Sequence, residues 1–190
     1  GVGYDNHRFK STSGPVTLGG VRIPHRRGLK GHSDADVLLH ALADALLGAV
    51  GAPDLGELFP PSDPQYRGMD SRWFVRQAYT RIRRAGWAVG NVDATVIADA
   101  PALGPHKAKM RQMISRLLHV EPSAISVKAK TTEGLAPGAA GIAAHAVVLL
   151  KKGQGARGKP APARTLSGGP GGQGAKRQAS AFQRKVGTRP

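Results

Sequence analysis

Asp5, His7 and His40 are the residues of this sequence whose types and spacing best fit metal chemistry. Asp5 and His7 stand two positions apart, so in an extended strand their side chains point to the same face. His40 lies in the apolar segment 37–50, which has the composition of a helix. One carboxylate and two imidazoles suit zinc, and three protein ligands with an open fourth position describe a catalytic site rather than a structural one. We therefore predict a zinc site formed by these three residues.

The segment around His40 carries a polar stripe. Asp36, His40 and Asp44 recur every four residues on a surface that otherwise consists of leucine and alanine, and Ser33 or Asp34 is the predicted N-cap of the helix. A polar stripe that faces the core is costly unless something binds there, which favours a metal site. The alternative is that the spacing of Asp5 and His7 is incidental and that His40 is a surface residue or a hydrogen-bonded core residue.

The composition predicts one globular domain. The chain has 190 residues with 40% hydrophobic content, which suffices for a single core. It has no cysteine, which excludes disulfides, thiolate ligands and a cysteine nucleophile and fits a reducing compartment. The longest apolar segment, 37–50, is interrupted by His40 and Asp44 and is shorter than a bilayer requires, so we expect no membrane-spanning segment and no membrane partner of the domain.

The net charge of +16 is concentrated near the C-terminal end. Residues 151–190 hold ten Lys and Arg and no Asp or Glu, which leaves 18 basic and 12 acidic residues in 1–150. Because the end of the chain is rich in Gly, Pro and Ser, we predict a domain over 1–152 and a disordered basic tail over 153–190. Such a tail can contact RNA, DNA or anionic membrane; the alternative is an extension without a role, since no aromatic platform accompanies it.

Hydrophobic periodicity predicts a mixed α+β domain. The expected helices cover 34–50, 70–85 and 105–118. The expected strands are a hairpin over 16–24 that turns at Gly19-Gly20, and segments 92–98, 125–130 and 142–150. Strands separated by helices of this length favour a mixed sheet covered by helices on one face, of the ferredoxin-like kind.

Three loops carry polar residues at the ends of these elements, namely 54–60, 98–101 and 130–133. Loops beside strand ends are where ligands commonly bind. Each loop also has a structural explanation, because an Asp often caps a helix or turns the backbone and Thr-Thr-Glu can form a capping box. Taken singly, none of the three establishes a site.

Taken together, these segments resemble the 2-C-methyl-D-erythritol 2,4-cyclodiphosphate synthase family. The resemblance covers residues 1–150 and rests on motifs in the family's order, at residues 1–9, 19–24, 31–37, 40–42, 44–48, 54–56, 58–60, 70–71, 90–93 and 128–133. It implies ferredoxin-like subunits in a homotrimer, with active sites between neighbouring subunits. It also implies a bacterial cytoplasm or a plastid stroma as the setting.

The resemblance implies a metal-dependent phosphorus–oxygen lyase of the non-mevalonate isoprenoid pathway. The family converts 4-diphosphocytidyl-2-C-methyl-D-erythritol 2-phosphate, a small nucleotide substrate, into the 2,4-cyclodiphosphate and releases CMP. Zinc is implied at Asp5, His7 and His40, in agreement with the spacing argument. A second ion, magnesium or manganese, is implied at the phosphates with help from Glu133.

The resemblance further implies roles for loop residues. His32 and Thr131 would act at the transferring phosphate. The implied substrate-binding residues are Ser33, Asp44, Asp54, Gly56, Phe59 and Asp63, and the implied cytidine-binding residues are Ala98, Asp99, Ala100, Pro101, Lys130 and Thr132. By residue type alone, His32 is equally a helix-entry residue and the small-residue loop is equally a turn.

The chain departs from the family pattern at a few positions. The segment 135–141 is shorter than its family counterpart and lacks an arginine, which predicts an altered or absent diphosphate site at the pore of the trimer. Ala102 replaces a family lysine and Lys130 replaces a threonine, and we hypothesise that the second change compensates for the first. The alternative function is an inactive synthase-like scaffold whose basic tail associates with nucleic acid.

Overall fold

The structure is a computed structural model that describes residues 1–135 and 140–153. Its strands are β1 (Val2–Arg8), β2 (Val16–Leu18), β3 (Val21–Ile23), β4 (Trp87–Ile97), β5 (Ile125–Lys130) and β6 (Gly141–Lys152). Its helices are α1 (Val37–Gly48), α2 (Leu55–Leu58), α3 (Ser71–Arg84) and α4 (Lys107–Leu118). The predicted tail beyond Gly153 and most of the shortened loop, residues 136–139, lie outside the described residues.

The main sheet has four strands in the order β1-β6-β4-β5. β6 is antiparallel to both of its neighbours, and β4 and β5 are parallel. The predicted mixed α+β class is confirmed. The chain order of the main elements is β1-α1-α3-β4-α4-β5-β6, which differs from the β-α-β-β-α-β order of a ferredoxin-like domain. The reason is that α4 joins β4 directly to its parallel neighbour, so the last strand returns to fill the position beside β1.

The helices cover one face of this sheet, as predicted. Along β6, alternate residues are buried, because strand side chains alternate between the two faces. The buried set packs with α1, whose leucines and alanines are all inaccessible to solvent. The opposite face is exposed and partly apolar, and its large hydrophobic residues are Val2, Tyr4, Val147 and Leu149. An exposed apolar sheet face of this kind is typical of a surface that another protein covers.

β1 and α1 pack unusually closely at Gly3. A Cβ atom added to Gly3 would lie 2.0 Å from the carbonyl oxygen of Ala41, so only glycine fits there. This contact holds the strand that carries His7 against the helix that carries His40.

The N-cap of α1 is Asp36, so the prediction of Ser33 or Asp34 was wrong. The Asp36 side chain accepts a hydrogen bond of 3.0 Å from the amide of Leu39 and is fully buried. Asp36 therefore does not belong to the predicted polar stripe. The helix also begins three residues later than expected, because the capping residue lies outside the helical turn.

The predicted hairpin is confirmed, with Gly19 and Gly20 as its turn. Both glycines have positive φ angles, +58° and +72°, as a two-residue turn of this hairpin type requires. Their amides donate to the Asp36 carboxylate at 2.8 and 2.6 Å. One carboxylate thus caps α1 and fastens the hairpin to it.

The remaining elements differ from prediction mainly at their ends. α3 begins after its cap Asp70, close to the predicted 70–85, and β5 has the predicted bounds. β4 begins five residues earlier than predicted, and the short helix α2 occupies part of a segment expected to be a loop. In the part of the chain that the structure describes, no helix is long and apolar enough to cross a membrane.

Candidate metal centre and substrate cavity

Asp5 and His7 of β1 meet His40 of α1 at one point. Asp5 Oδ2 lies 2.9 Å from His40 Nδ1 and 3.1 Å from His7 Nε2, and the two imidazole nitrogens lie 3.2 Å apart. A tetrahedral zinc ion with bonds of 2.0–2.1 Å has neighbouring ligands separated by about 3.3 Å. The three atoms therefore already have nearly the mutual spacing that such an ion needs, and this group of ligand types fits zinc.

The charges of this cluster support one another. Burial alone would raise the pKa of Asp5, but hydrogen bonds with His40 and His7 outweigh burial and lower the pKa from 3.8 to about 2. Burial likewise opposes the charged form of His40, yet the hydrogen bond and charge of Asp5 prevail and raise its pKa. The carboxylate is thus ionised at neutral pH and ready to bind a cation.

The second ring nitrogen of His40 points away from the cluster. Nε2 lies 2.9 Å from the hydroxyl of Ser71 and 3.1 Å from that of Ser33. Ser71 is fully buried at the start of α3, and its hydroxyl donates to Asp34. Histidine ligands in metal sites are commonly held in this way through the nitrogen that does not bind the metal.

A cavity of about 280 Å³ opens beside the three ligands. It is lined by Asp5, His7, His32, Ser33, His40, Leu55, Gly56, Phe59, Pro61, Tyr66 and Phe74. The structure therefore brings four predicted site residues, His32, Ser33, Gly56 and Phe59, to the same cavity as the ligands. One wall is aromatic, since the ring centroids of Phe59 and Phe74 lie 5.4 Å apart and Tyr66 packs against both.

Three predicted substrate-binding carboxylates are not among the lining residues of this cavity. Asp44 accepts from the amide of Leu55 at 2.8 Å, and burial raises its pKa. Asp54 is the N-cap of α2, and Asp63 is the N-cap of the 3₁₀ turn over Pro64–Tyr66. In the isolated subunit these carboxylates hold the backbone that surrounds the cavity.

The residues predicted to bind cytidine form a second group. The parallel strands β4 and β5 end side by side, and Ala98 donates from its amide to the carbonyl of Lys130 at 2.9 Å. Asp99 accepts from the amide of Thr132 at 2.7 Å and from its hydroxyl at 2.8 Å. These contacts join the loop over 98–101 to the loop over 130–133. In the second loop, Thr131 donates to the neighbouring carboxylate, Glu133.

The two groups lie toward opposite edges of the sheet. Four paired residues form one row across the sheet. Asp5 pairs with Ala144 of β6, Ala144 pairs with Val96 of β4, and Val96 pairs with Ala129 of β5. Three strand spacings of 4.7–4.9 Å separate the ends of this row by about 14 Å. No residue of the two cytidine loops lines the metal cavity in the described residues. The structure therefore does not bring Thr131 and Glu133 to the three ligands within one subunit.

Several residues of the site were missed from the sequence. They are the cavity residues Leu55, Pro61, Tyr66 and Phe74, together with Ser71 behind His40. The pair Asp70-Ser71 belongs to the motifs of the resemblance, which was the one available signal for Ser71. No spacing rule could connect that serine with a histidine 31 positions earlier.

Comparisons with known proteins agree with the resemblance. The chain is 54% identical over 154 residues to a 2-C-methyl-D-erythritol 2,4-cyclodiphosphate synthase from Alkalilimnicola ehrlichii, over 80% of this chain and 94% of that protein. It is 49% identical over 152 residues to the synthase of Koribacter versatilis, over 80% and 97% of the two chains.

Solved structures are similar as well. A CDP-bound 2-C-methyl-D-erythritol 2,4-cyclodiphosphate synthase is 40% identical, with a TM-score of 0.74 over 80% of this chain and 99% of that one. The bifunctional IspDF of Campylobacter jejuni has a TM-score of 0.76 at 40% identity, and the match spans 80% of this chain but 42% of that longer protein. The model of the YgbB family matches residues 1–151, and this chain belongs to the YgbB family.

Proposed function

We propose that this chain is a 2-C-methyl-D-erythritol 2,4-cyclodiphosphate synthase. The observation that carries the proposal is the Asp5-His7-His40 cluster in the lining of a cavity, in a chain 49–54% identical to synthases over nearly their whole length. The substrate would be 4-diphosphocytidyl-2-C-methyl-D-erythritol 2-phosphate and the products the 2,4-cyclodiphosphate and CMP. The alternative of an inactive scaffold is not favoured, because an unused site has no physical reason to keep an inward cluster of a carboxylate and two imidazoles.

The reaction needs no protein nucleophile. An oxygen of the substrate's 2-phosphate attacks the β-phosphorus of its own diphosphate, the bond from that phosphorus to the α-phosphate oxygen breaks, and CMP leaves without consumption of water. The difficulty is that one polyanion must approach another, so the enzyme mainly supplies positioning and positive charge.

The cluster fits a zinc ion held by Asp5, His7 and His40, and a second ion, magnesium or manganese, would bind through the phosphates near Glu133. Bound metals supply Lewis acidity that neutralises charge on phosphoryl oxygens. His32 and Ser33 line the cavity beside the ligands and can hydrogen-bond a phosphate there. The aromatic wall at Phe59 and Phe74 would shield the methylerythritol portion from water.

We assign the second group of loops to the cytidine nucleotide. The residues of this group are Ala98, Asp99, Ala100, Pro101, Lys130 and Thr132, and Thr131 would face the transferring phosphate. The loops are joined by the Asp99–Thr132 hydrogen bonds, which give backbone groups fixed positions from which to bind a base. Asp44, Asp54, Gly56 and Asp63 surround the methylerythritol part in this proposal.

We propose a homotrimer with active sites between subunits. The argument is that β1, which carries Asp5 and His7, and β5, which leads into the loop with Thr131 and Glu133, lie about 14 Å apart across one sheet, too far for both to act on one diphosphate. An exposed apolar face of the same sheet, around Val147 and Leu149, is available to neighbouring copies. Association through that face would place the nucleotide group of one subunit against the metal group of the next.

We also propose a domain boundary at 152–153, with the basic segment 153–190 as an appendage that catalysis does not need. The family match, which ends at residue 151, supports this boundary. A bacterial cytoplasm or plastid stroma stays a prediction.

Phosphorus NMR of the purified protein with substrate, zinc and magnesium tests the proposal. We expect resonances of CMP and of a cyclic diphosphate to appear together, in equal amounts. His40→Ala should give neither product. Absence of turnover in a wild-type oligomer shown by metal analysis to hold zinc would contradict the proposed activity.

A further inference from the structure

We infer that Ser71, oriented by Asp34, is a positioning residue that directs Nδ1 of His40 toward the proposed metal site. The inference rests on the proposed metal site and assigns the Ser71–Asp34 pair a specific effect on that site, namely which nitrogen of His40 is left to bind the metal. It concerns the chain of atoms His40 Nε2, Ser71 Oγ and Asp34 Oδ1, in which Ser71 Oγ lies 2.9 Å from Nε2 and donates to the carboxylate.

The direction of each hydrogen bond in this chain follows from donor and acceptor counts. An ionised carboxylate only accepts, so the single O–H of Ser71 is directed at Asp34. The serine then has only lone pairs to offer His40, and Nε2 must carry the hydrogen. Nδ1, on the other side of the ring, then carries no hydrogen in the neutral imidazole. Its neighbours are Asp5 Oδ2 and His7 Nε2, so it can bind a cation together with them.

Ser71 is better suited to this task than Ser33, although both hydroxyls approach Nε2. Ser33 lines the cavity, where water or substrate can compete for its hydroxyl, and it also accepts from the amide of Ala35 at 3.3 Å. Ser71 is fully buried, so no water can replace its contact with the ring. The permanent restraint on His40 therefore comes from α3 rather than from the cavity wall.

Asp34 is itself held in place from two sides. Its amide donates to the carbonyl of Met69 at 3.1 Å, and its carboxylate accepts from the amide of Asp36 at 3.3 Å. These hydrogen bonds thus connect the segment that precedes α1 with the segment that precedes α3. A rigid support of this kind is what keeps a histidine ligand in one tautomer and one orientation.

Ser71→Ala tests the inference, with Ser115→Ala as the matched control. Ser115 is also a buried helix serine, and its hydroxyl donates to the carbonyl of Val120 at 2.6 Å, in α4 and away from the cavity. The zinc affinity of the metal-free protein, residues 1–190, is measured by competition with a chromogenic chelator. We expect Ser71→Ala to weaken zinc binding about 10–100-fold and Ser115→Ala to leave it unchanged.

Nitrogen-15 NMR of the zinc-loaded protein supplies a readout independent of activity. We expect His40 to bind zinc through Nδ1 and to show a slowly exchanging Nε2–H signal that exchanges rapidly in Ser71→Ala. Should Ser71→Ala not fold, Asp34→Asn keeps the serine but allows its hydroxyl to turn toward the ring, and we expect weaker zinc binding there as well.

Unchanged zinc affinity in Ser71→Ala, or a His40 that binds zinc through Nε2, would overturn the inference. If the wild-type protein binds no zinc at all, the proposed metal site fails first and the inference falls with it. Zinc bound normally without turnover would count against the proposed function alone, since chelator competition and NMR do not depend on catalysis.

Discussion

Two inactive variants should restore activity when they assemble together. His40→Ala removes a ligand from the metal group and leaves the nucleotide group intact, whereas Glu133→Ala damages only the nucleotide loop. If each site combines the metal group of one subunit with the nucleotide loop of its neighbour, a mixed oligomer contains some sites in which both parts are intact.

The separation of the two groups across the sheet predicts that each site is shared between subunits, and the expected activity follows from how often the intact parts meet. In a random equal mixture, an intact site needs a Glu133→Ala subunit on the metal side and a His40→Ala subunit on the nucleotide side. Each choice has a probability of one half, so about a quarter of the sites should be intact in a cyclic oligomer. Specific activity should therefore reach about a quarter of the wild-type value, from parents that are each inactive.

The assay is co-expression of the two variants with different affinity tags, sequential purification on both tags, and measurement of CMP release. Sequential purification enriches mixed oligomers, so the result is compared with the composition found by mass spectrometry. The control is co-expression of His40→Ala with His7→Ala, which lie in the same group and should not complement each other. Mixed oligomers of the first pair that remain as inactive as their parents would refute the shared-site reasoning.

Four further outcomes are expected. His40→Ala should contain no zinc by metal analysis, and one zinc per subunit would overturn the ligand assignment. Because Asp5 raises the pKa of His40 in the metal-free protein, a proton competes with zinc, and zinc affinity should fall about tenfold per pH unit below that pKa; a pH-independent affinity in chelator competition would contradict this. Asp36→Ala should lower the free energy of unfolding by about 3 kcal/mol in urea titration, since two buried amides and the partly buried amide of Gly20 lose their acceptor, whereas a loss below about 1 kcal/mol would show that they find other partners. Lys130→Thr should raise KM for the nucleotide substrate, and an unchanged KM would end the idea that this lysine replaces a missing cation.

The sequence predicts the parts of this site that depend on local geometry. Asp5 and His7 share a face because strand side chains alternate, and this follows from their spacing alone. The turn at Gly19-Gly20 is equally local, since positive φ angles favour glycine. These predictions need no knowledge of what lies across the fold.

Features that depend on distant contacts could not be predicted in the same way. Ser33, Asp34 and Asp36 are all competent N-caps, and Asp36 is the one used because the hairpin turn, 16 positions away, presents its amides to it. The helix α2 has four residues, too few for a periodic pattern to indicate it. The distance between the metal and nucleotide groups depends on strand order, which places β6 and β4 between β1 and β5.

The close contact between the backbones of Gly3 and Ala41 sets the distance between the metal ligands on β1 and the one on α1. Asp5 follows Gly3 on the strand and His40 precedes Ala41 on the helix, so anything that separates the two backbones also separates the ligands. A methyl group at position 3 cannot bind a metal, but it would push β1 away from α1 and so increase the distance between the ligand atoms of Asp5 and His40. A substitution of Gly3 would therefore cause loss of metal binding in a protein that still has all three ligand residues.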